Sequence, residues 1–384
     1  MASKTNVDRL GSLDAFRGAT MLLMASSGLG IPQWVERRHP DSRVWHWIAS
    51  QCEHAPWVGC TLWDLIQPAF MFMVGVAVPY SLANRRAKGQ TDASLFRHVV
   101  VRSLVLILLA VFLSSAWSEQ TEWVFTNVLA QIGLGYPFLF AIALLRPKAQ
   151  VAVAALILVA TWALFVGFPL PAESLSSRPT GLAAHWQINA NVATAFDRWF
   201  LNLFPRSEPF VVNTGGFATL NFMPSIVTMV FGVLAGTLLR SGKLPGAVTQ
   251  RLSLWGGVGM ASGLLLQLVG LCPMIKRLWT PSWTLFSGGC VSLLLAGFFI
   301  LIDGRGYRRW AFPFIVVGLN PITLYCLWQL SSGFVRHSLL IHFGPHVFTC
   351  LGNDFQPMLE RLTVLLAFWL FLYWMHRQRI YVRI

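Results

Sequence analysis

Residues 53–75 read EHAPWVGCTLWDLIQPAFMFMVG, and this stretch decides what kind of protein the chain is. His54 stands two residues before Pro56, which favours a loop or a broken helix end. From Thr61 to Ala83 nearly every residue is apolar, a run long enough to cross a bilayer core of about 30 Å. Asp64 interrupts that run near its start. An ionisable side chain at the centre of a membrane span costs at least ~2.5–3.5 kcal/mol, so it faces the protein interior and has a task. At helical spacing Asp64, Pro68, Met71 and Gly75 share one face, and Pro68 is expected to kink the helix by freeing a carbonyl one turn earlier. A histidine followed by a membrane-embedded carboxylate points to proton chemistry at a membrane boundary.

The composition extends this to the whole chain. Of 384 residues 55% are apolar and only 11% charged, and mean hydropathy is +0.59, so no ordinary water-facing surface can be assembled. Seventeen Trp and 28 Phe suit lipid contacts and interfacial belts. The formal charge of +14 invites a nucleic-acid reading, but the basic residues punctuate apolar spans and form no patch; no nucleic acid is expected. No cleavable signal is visible, and the first apolar helix is expected to act as its own insertion signal. Cys272, Cys290 and Cys326 fall in or beside apolar runs, whereas Cys52, Cys60 and Cys350 fall in loops. A Cys52–Cys60 bridge would clamp the His54 loop, and free thiols are equally compatible with the spacing. Neither CxxC nor HExxH occurs, so no metal is indicated.

The expected fold is all-α, a polytopic transmembrane helix bundle of ten spans: 12–31, 61–83, 97–117, 124–145, 150–168, 220–240, 250–272, 281–303, 311–332 and 358–376. Alternate segments carry 19 of the 29 Lys and Arg, with most acids, including Glu119, Glu122, Glu173 and Glu208, on the opposite side. This asymmetry predicts cytoplasmic termini and an outward-facing His54 loop. The chain is expected to form a single integral-membrane domain over residues 1–384, with outer loops at about 32–60 and 169–219.

Other polar residues punctuate these spans. Asp14 and Arg17 are three apart and share a face. The outer stretch before Cys60 also holds His39 and His46, ranked below His54 because neither adjoins an acid-bearing span. Arg85, Arg86 and Lys88 follow the second span, as orientation signals or as a seat for a phosphate-rich ligand. Asn127, Gln131 and Gly135 recur at four-residue steps, a polar stripe that either holds helices together or lines a cavity. Asn221 opens the sixth span, Lys276 and Arg277 form a basic pair on the acidic side, and Asn320 precedes Pro321 at a helix break. His185 and Asp197 lie in the longest loop, too isolated in sequence to assign.

In order, the phrases RLGSLDAFRGATMLLM, EHAPWVGCTLWDLIQPAFMFMVG, NVLAQIGLGYPF, NFMPSIVTMVFGVLAG, PMIKRLWTPSW and GLNPITLY make the chain resemble the heparan-α-glucosaminide N-acetyltransferase family and its shorter prokaryotic relatives. That resemblance implies a polytopic acyltransferase in a bacterial inner membrane. It would take acetyl-CoA as co-substrate from the cytoplasm and acetylate an amino sugar or glycan at the outer face. It matches His54 to the catalytic histidine and Asp64 to the intramembrane acid. The animal enzyme's leading lumenal domain has no counterpart ahead of these motifs, which removes the basis for a heparan substrate. Its asparagine near the end of the first helix is replaced by SSGLG, leaving Ser26 or Ser27, or a different acceptor site. His54 then serves as general base or as acetyl-accepting nucleophile, with Asp64 fixing its tautomer. Asn320, Asn221 or Gln131 is expected to donate to the thioester oxygen. Asp14, Arg17, Asn127, Lys276 and Trp279 complete the candidate acyl-CoA or substrate-binding residues, and a homodimer is left open. The rival expectation is a proton-coupled secondary transporter, because the Asp64–Pro68 and Asn320–Pro321 breaks sit in opposite halves of the chain.

Overall fold

The computed structural model describes residues 10–169 and 181–382, and all regular structure among them is helical; Glu173 and the last two residues of the basic tail lie outside the described residues. In chain order the helices are α1 (Gly11–Ala25), α2 (Ile31–Arg38), α3 (Arg43–Ser50), α4 (Ile66–Ala87), α5 (Asp92–Ser115), α6 (Val128–Ala143) and α7 (Pro147–Val166). They continue as α8 (Val192–Phe200), α9 (Phe222–Leu239), α10 (Pro245–Leu268), α11 (Pro281–Phe299), α12 (Phe312–Gly318), α13 (Pro321–Phe343) and α14 (Gln356–Arg377). Among the described residues six helical segments are long and apolar enough to cross a membrane, and seven if the α12–α13 pair, bent by 80°, counts as one span. The protein is a polytopic helical membrane protein.

Three expected spans do not meet that standard alone, each for a local reason. Helix α1 stops at Ala25 because Ser27, Gly28, Leu29 and Gly30 all take positive φ, so its 15 residues rise only about 22 Å. Helix α6 has 16 residues, about 24 Å, because Asn127 caps it: its Oδ1 accepts from the Ala130 N–H at 3.0 Å. Helix α10 has the length, but Gln250, Arg251 and Gln267 lower its hydropathy. Nor does Pro68 kink its helix. It lies in the first turn of α4, where no intrahelical N–H is needed, and the proline inside that helix is Pro79.

The chain divides into two compact units. One comprises residues up to Glu53, 243–253 and 293 onward. In it the Asp303 carboxylate accepts from the Gly11 and Ser12 N–H groups at 3.2 and 3.0 Å, capping α1 from across the sequence. Helices α1 and α12 approach closely: Gly18 faces the Phe314 carbonyl, and Gly318 faces that of Asp14.

The other unit comprises residues 54–242 and 254–292. Helix α9 is its centre, with 67% of its apolar window buried, against 33% for α5 and 22% for α7, whose exposed Leu and Val side chains face outward as lipid contacts do. Helices α4 and α9 run in parallel and touch backbone to backbone. Gly75 faces the Met229 carbonyl, Gly232 that of Phe72, and Gly236 that of Val76, a small-residue seam of the kind that joins helices in lipid. Gly232→Leu is expected to lower the melting temperature of the detergent-purified protein, an overpacking cost of about 1–3 kcal/mol or more. Gly246→Leu, where a Cβ meets open space, is expected to leave it unchanged.

Candidate active site

The site in this second unit is built around a loop that one side chain closes. Asp64 lies on the short 3₁₀ turn Trp63–Leu65 that leads into α4. Its Oδ2 accepts from the Ala55 N–H at 3.1 Å, the Thr61 N–H at 3.2 Å and the Thr61 hydroxyl at 3.0 Å. The carboxylate thus organises the loop backbone as Asp side chains do in local turns. Its Oδ1 lies 2.7 Å from His54 Nδ1 and 3.3 Å from Lys276 Nζ, which is itself 3.0 Å from His54 Nδ1. Asp64 is 1% exposed, the Lys276 side chain 8% and the His54 side chain 39%, so only the imidazole is open to a reactant.

A second loop brings Lys276. Thr280 accepts from the Ile275 N–H at 3.0 Å and donates to the Pro273 carbonyl at 2.8 Å, folding residues 273–280 on themselves. Trp279 takes left-handed φ of 53° to complete that turn, and its buried indole donates to Thr228 at 3.2 Å. The loops are tied by the Gly59 N–H to the Met274 carbonyl at 2.9 Å. Arg277 donates to the Gly215 carbonyl at 2.8 Å and, more weakly, to that of Ala55 at 3.5 Å. The adjacent Lys276 and Arg277 therefore grip the histidine loop from its carboxylate and its backbone.

Proton bookkeeping defines what the cluster can do. His54 Nδ1 can donate to Asp64 or accept from Lys276, not both at once. The shorter contact is to Asp64. With the proton on Nδ1 and Lys276 bonded to the carboxylate, Nε2 carries a lone pair, the state a base or nucleophile needs. Burial pushes the Lys276 ammonium down to about 8, opposed by the attraction of Asp64. Cys60, on the same loop, is pushed up to about 12, first by burial, so its thiol is not a competing nucleophile. All six cysteines are unbridged.

One turn beyond Asp64 on α4 lies an amide layer. Gln67 Nε2 donates to Gln131 Oε1 at 2.9 Å. Asn221 immediately precedes α9, the helix whose glycine seam packs against α4. Asn221 donates to the Arg277 carbonyl. Gln131 Nε2 and Asn221 Oδ1 are both buried without a protein partner, one a donor and the other an acceptor. Asp197 sits behind this layer: its Oδ2 accepts from the Thr219 N–H at 2.9 Å, and burial pushes it up to about 6.

Other expected site residues have local partners. Asn127 caps α6 and donates to Ser114 at 3.2 Å, so the stripe it shares with Gln131 serves two purposes. In the first unit, Arg17 lies 3.8 Å from Asp14 and 3.5 Å from the Gly318 carbonyl. Asn320 donates to the Ile380 carbonyl at 2.9 Å and accepts from the Val382 N–H at 2.8 Å, holding the carboxyl tail. Ser26 bonds the Leu23 carbonyl, Ser27 accepts from Trp328, His46 bonds the Pro40 carbonyl and His39 stacks on Trp45. Gln67 entered the site unforeseen, and the sequence singles out Arg277 only as the neighbour of Lys276 in a basic pair; the signal for Gln67 was its place three residues after Asp64 on one helical face.

Fold and site define an integral, multi-pass helical membrane protein with a buried Asp–Lys pair presenting a half-open histidine. No protein-family profile matches the chain. Among curated proteins it is 24% identical to the human heparan-alpha-glucosaminide N-acetyltransferase over 98% of this chain, and 23% identical to the mouse enzyme over 89%. The chain spans 60% and 55% of those relatives' lengths. It stands in a family-level relationship with the heparan-alpha-glucosaminide N-acetyltransferases.

Removing the Asp64 carboxylate strands Lys276 and the loop amides. Asp64→Ala is expected to destabilise the detergent-purified protein by about 3–5 kcal/mol. The double variant with Lys276→Met is expected to recover part of that loss, read as non-additive melting temperatures in a double-mutant cycle.

Proposed function

We infer that the protein is a transmembrane acyltransferase that moves an acetyl group from cytoplasmic acetyl-CoA to an amino sugar or glycan at the outer face of a bacterial inner membrane. The observation that carries this reading is the half-exposed His54 imidazole held at Nδ1 by Asp64, in a chain related to N-acetyltransferases. The ten-helix crossing with cytoplasmic termini belongs to the same reading. On this reading helices α1, α6 and α10 join the six candidate spans and the bent α12–α13 pair to make ten crossings, with the Lys and Arg asymmetry supporting their orientation.

Two routes balance. In direct transfer the acceptor amine attacks the thioester carbonyl while His54 Nε2 takes the amine proton. The C–S bond then breaks, the amide forms, and the departing sulfur receives that proton. In the two-step route Nε2 itself attacks the carbonyl and the thiolate leaves. The amine then displaces the acetyl group from the imidazolium and gives up its proton, which converts the released thiolate to the thiol, so that amide, CoA thiol and neutral His54 result. In both routes a cation forms on the ring with its Nδ1–H held by Asp64, and Lys276 keeps that carboxylate ionised. An orphaned amide donor such as Gln131 Nε2 suits the carbonyl oxygen as charge develops on it.

The 80° break at Asn320–Pro321 favours a proton-coupled transporter as the second reading. Purified protein given acetyl-CoA and an amino sugar separates the two: thioester loss stimulated by the sugar is expected, and its absence removes the enzyme. His54→Ala is expected to abolish transfer while leaving the protein folded in the membrane. Lys276 is charged below about pH 8 and neutral above it, so transfer that relies on its charge declines as pH rises through that value. In Lys276→Met this alkaline limb of the rate–pH profile is expected to vanish, with kcat already reduced at pH 7.

A further inference from the structure

Arg102 lies about ten residues into α5, about 15 Å along a helix of about 36 Å. A charged residue at that depth faces a partner or a pathway. One that merely reached for headgroups would extend along lipid. Arg102 instead crosses to α6, where its Nη1 donates to the Tyr136 hydroxyl at 3.1 Å and its guanidinium lies 4.7 Å over the same ring. Its Nε is buried without a partner. One turn earlier on the same face, His98 Nε2 lies 2.7 Å from Arg85 Nη2, at the far end of α4 from Asp64. A guanidinium has no acceptor, so the imidazole nitrogen accepts.

One guanidinium thus binds the imidazole and a second lies one turn further along the same helix, and among the described residues none of the three is paired with a carboxylate. Arg85 spends its other bond on the Gln90 side-chain oxygen at 3.1 Å, and the nearby acid, Asp92, is engaged by Arg86 at 3.5 Å. A narrow cleft is lined by Arg85 and His98 together with Ser81, Leu82, Tyr136 and Phe140. Guanidinium donors without an acid, opening on a cleft with apolar walls, suit a phosphate group joined to an apolar arm.

We propose that Arg85, His98 and Arg102 form a binding site for the phosphate or diphosphate group of an amphipathic ligand, and that this ligand is the CoA-type acyl donor. The choice of donor rests on the acyltransferase reading above. Helix rise supports the match. Asp64 to Gln67 on α4, then Gln131 to Tyr136 on α6, is about 12 Å, and Asp64 to Arg85 is about 31 Å. A pantetheine arm, comparable to about five extended residues, spans about 17 Å. A diphosphate held between Arg102 and Arg85 therefore leaves the thioester within reach of His54. A lipid phosphodiester shares the same headgroup chemistry but has no thioester to deliver.

The test is binding to the purified full-length protein in nanodiscs, with CoA, pantetheine and anionic lipid as probes. Arg102→Gln and Arg85→Gln are expected to weaken CoA binding at least tenfold while leaving pantetheine binding unchanged, and added salt should weaken CoA binding to the native protein. Arg102→Lys, which keeps the charge, should fall between and guards against a folding defect in the glutamine variant. Native CoA affinity in both glutamine variants overturns the site while leaving the acyltransferase reading intact. If the native protein binds no CoA, but phosphatidylglycerol raises its melting temperature through Arg102, the donor assignment and the acyltransferase reading both fail.

Discussion

The carboxylate of Asp64 is the constraint on which the functional half of the structure depends. Burying it costs several kcal/mol, and that cost is offset only because donors converge on it from the loop backbone, Thr61, His54 and Lys276. The consequence is mechanical as well as electrostatic. One side chain closes the 54–64 loop, orients the imidazole and draws the 273–280 loop against it. A neutral amide of the same shape has a single acceptor oxygen, so it could keep the loop bonds or the contacts to His54 and Lys276, but not both.

Helix α4 then acts as a ruler. Asp64 stands at its start, Gln67 one turn on, the Gly75 seam against α9 in the middle and Arg85 near its last turn. The glycine seam lets α4 and α9 touch along their backbones, and α6 brings Gln131 into hydrogen-bonding reach of Gln67. Polar groups in this unit are therefore graded by depth: a dyad with its lysine, an amide layer with orphaned atoms, and an arginine–histidine cluster. Apolar helix surface separates them, as a slim arm with two polar ends requires.

Several sequence patterns carried a different meaning from their first reading. Asn127 shares a helical stripe with Gln131, yet it ends the helix and Gln131 lies inside the bundle; a stripe rule counts positions and does not see where the helix begins. Pro68 sits in an apolar run that looks helical throughout, but the helix starts just before it, so the missing N–H costs nothing. Asn320 precedes a proline at a real break, and both its polar atoms hold the carboxyl tail. The first apolar run ends early because four successive residues turn left-handed after Ala25, a backbone event that hydropathy does not register.

By itself the sequence determined the class of protein, since an apolar fraction this high leaves only a helical membrane bundle, and it marked His54 and Asp64, since a carboxylate in lipid must be paired. Lys276 could be singled out as a basic residue on the wrong side, but not as the third member of that pair. Only the tertiary structure decided that, together with the amide layer and the convergence of Arg85, His98 and Arg102. Local periodicity specifies which face of one helix a residue occupies. Which faces meet depends on backbone approach at glycines and on loop closures across more than two hundred residues, terms that no single segment contains.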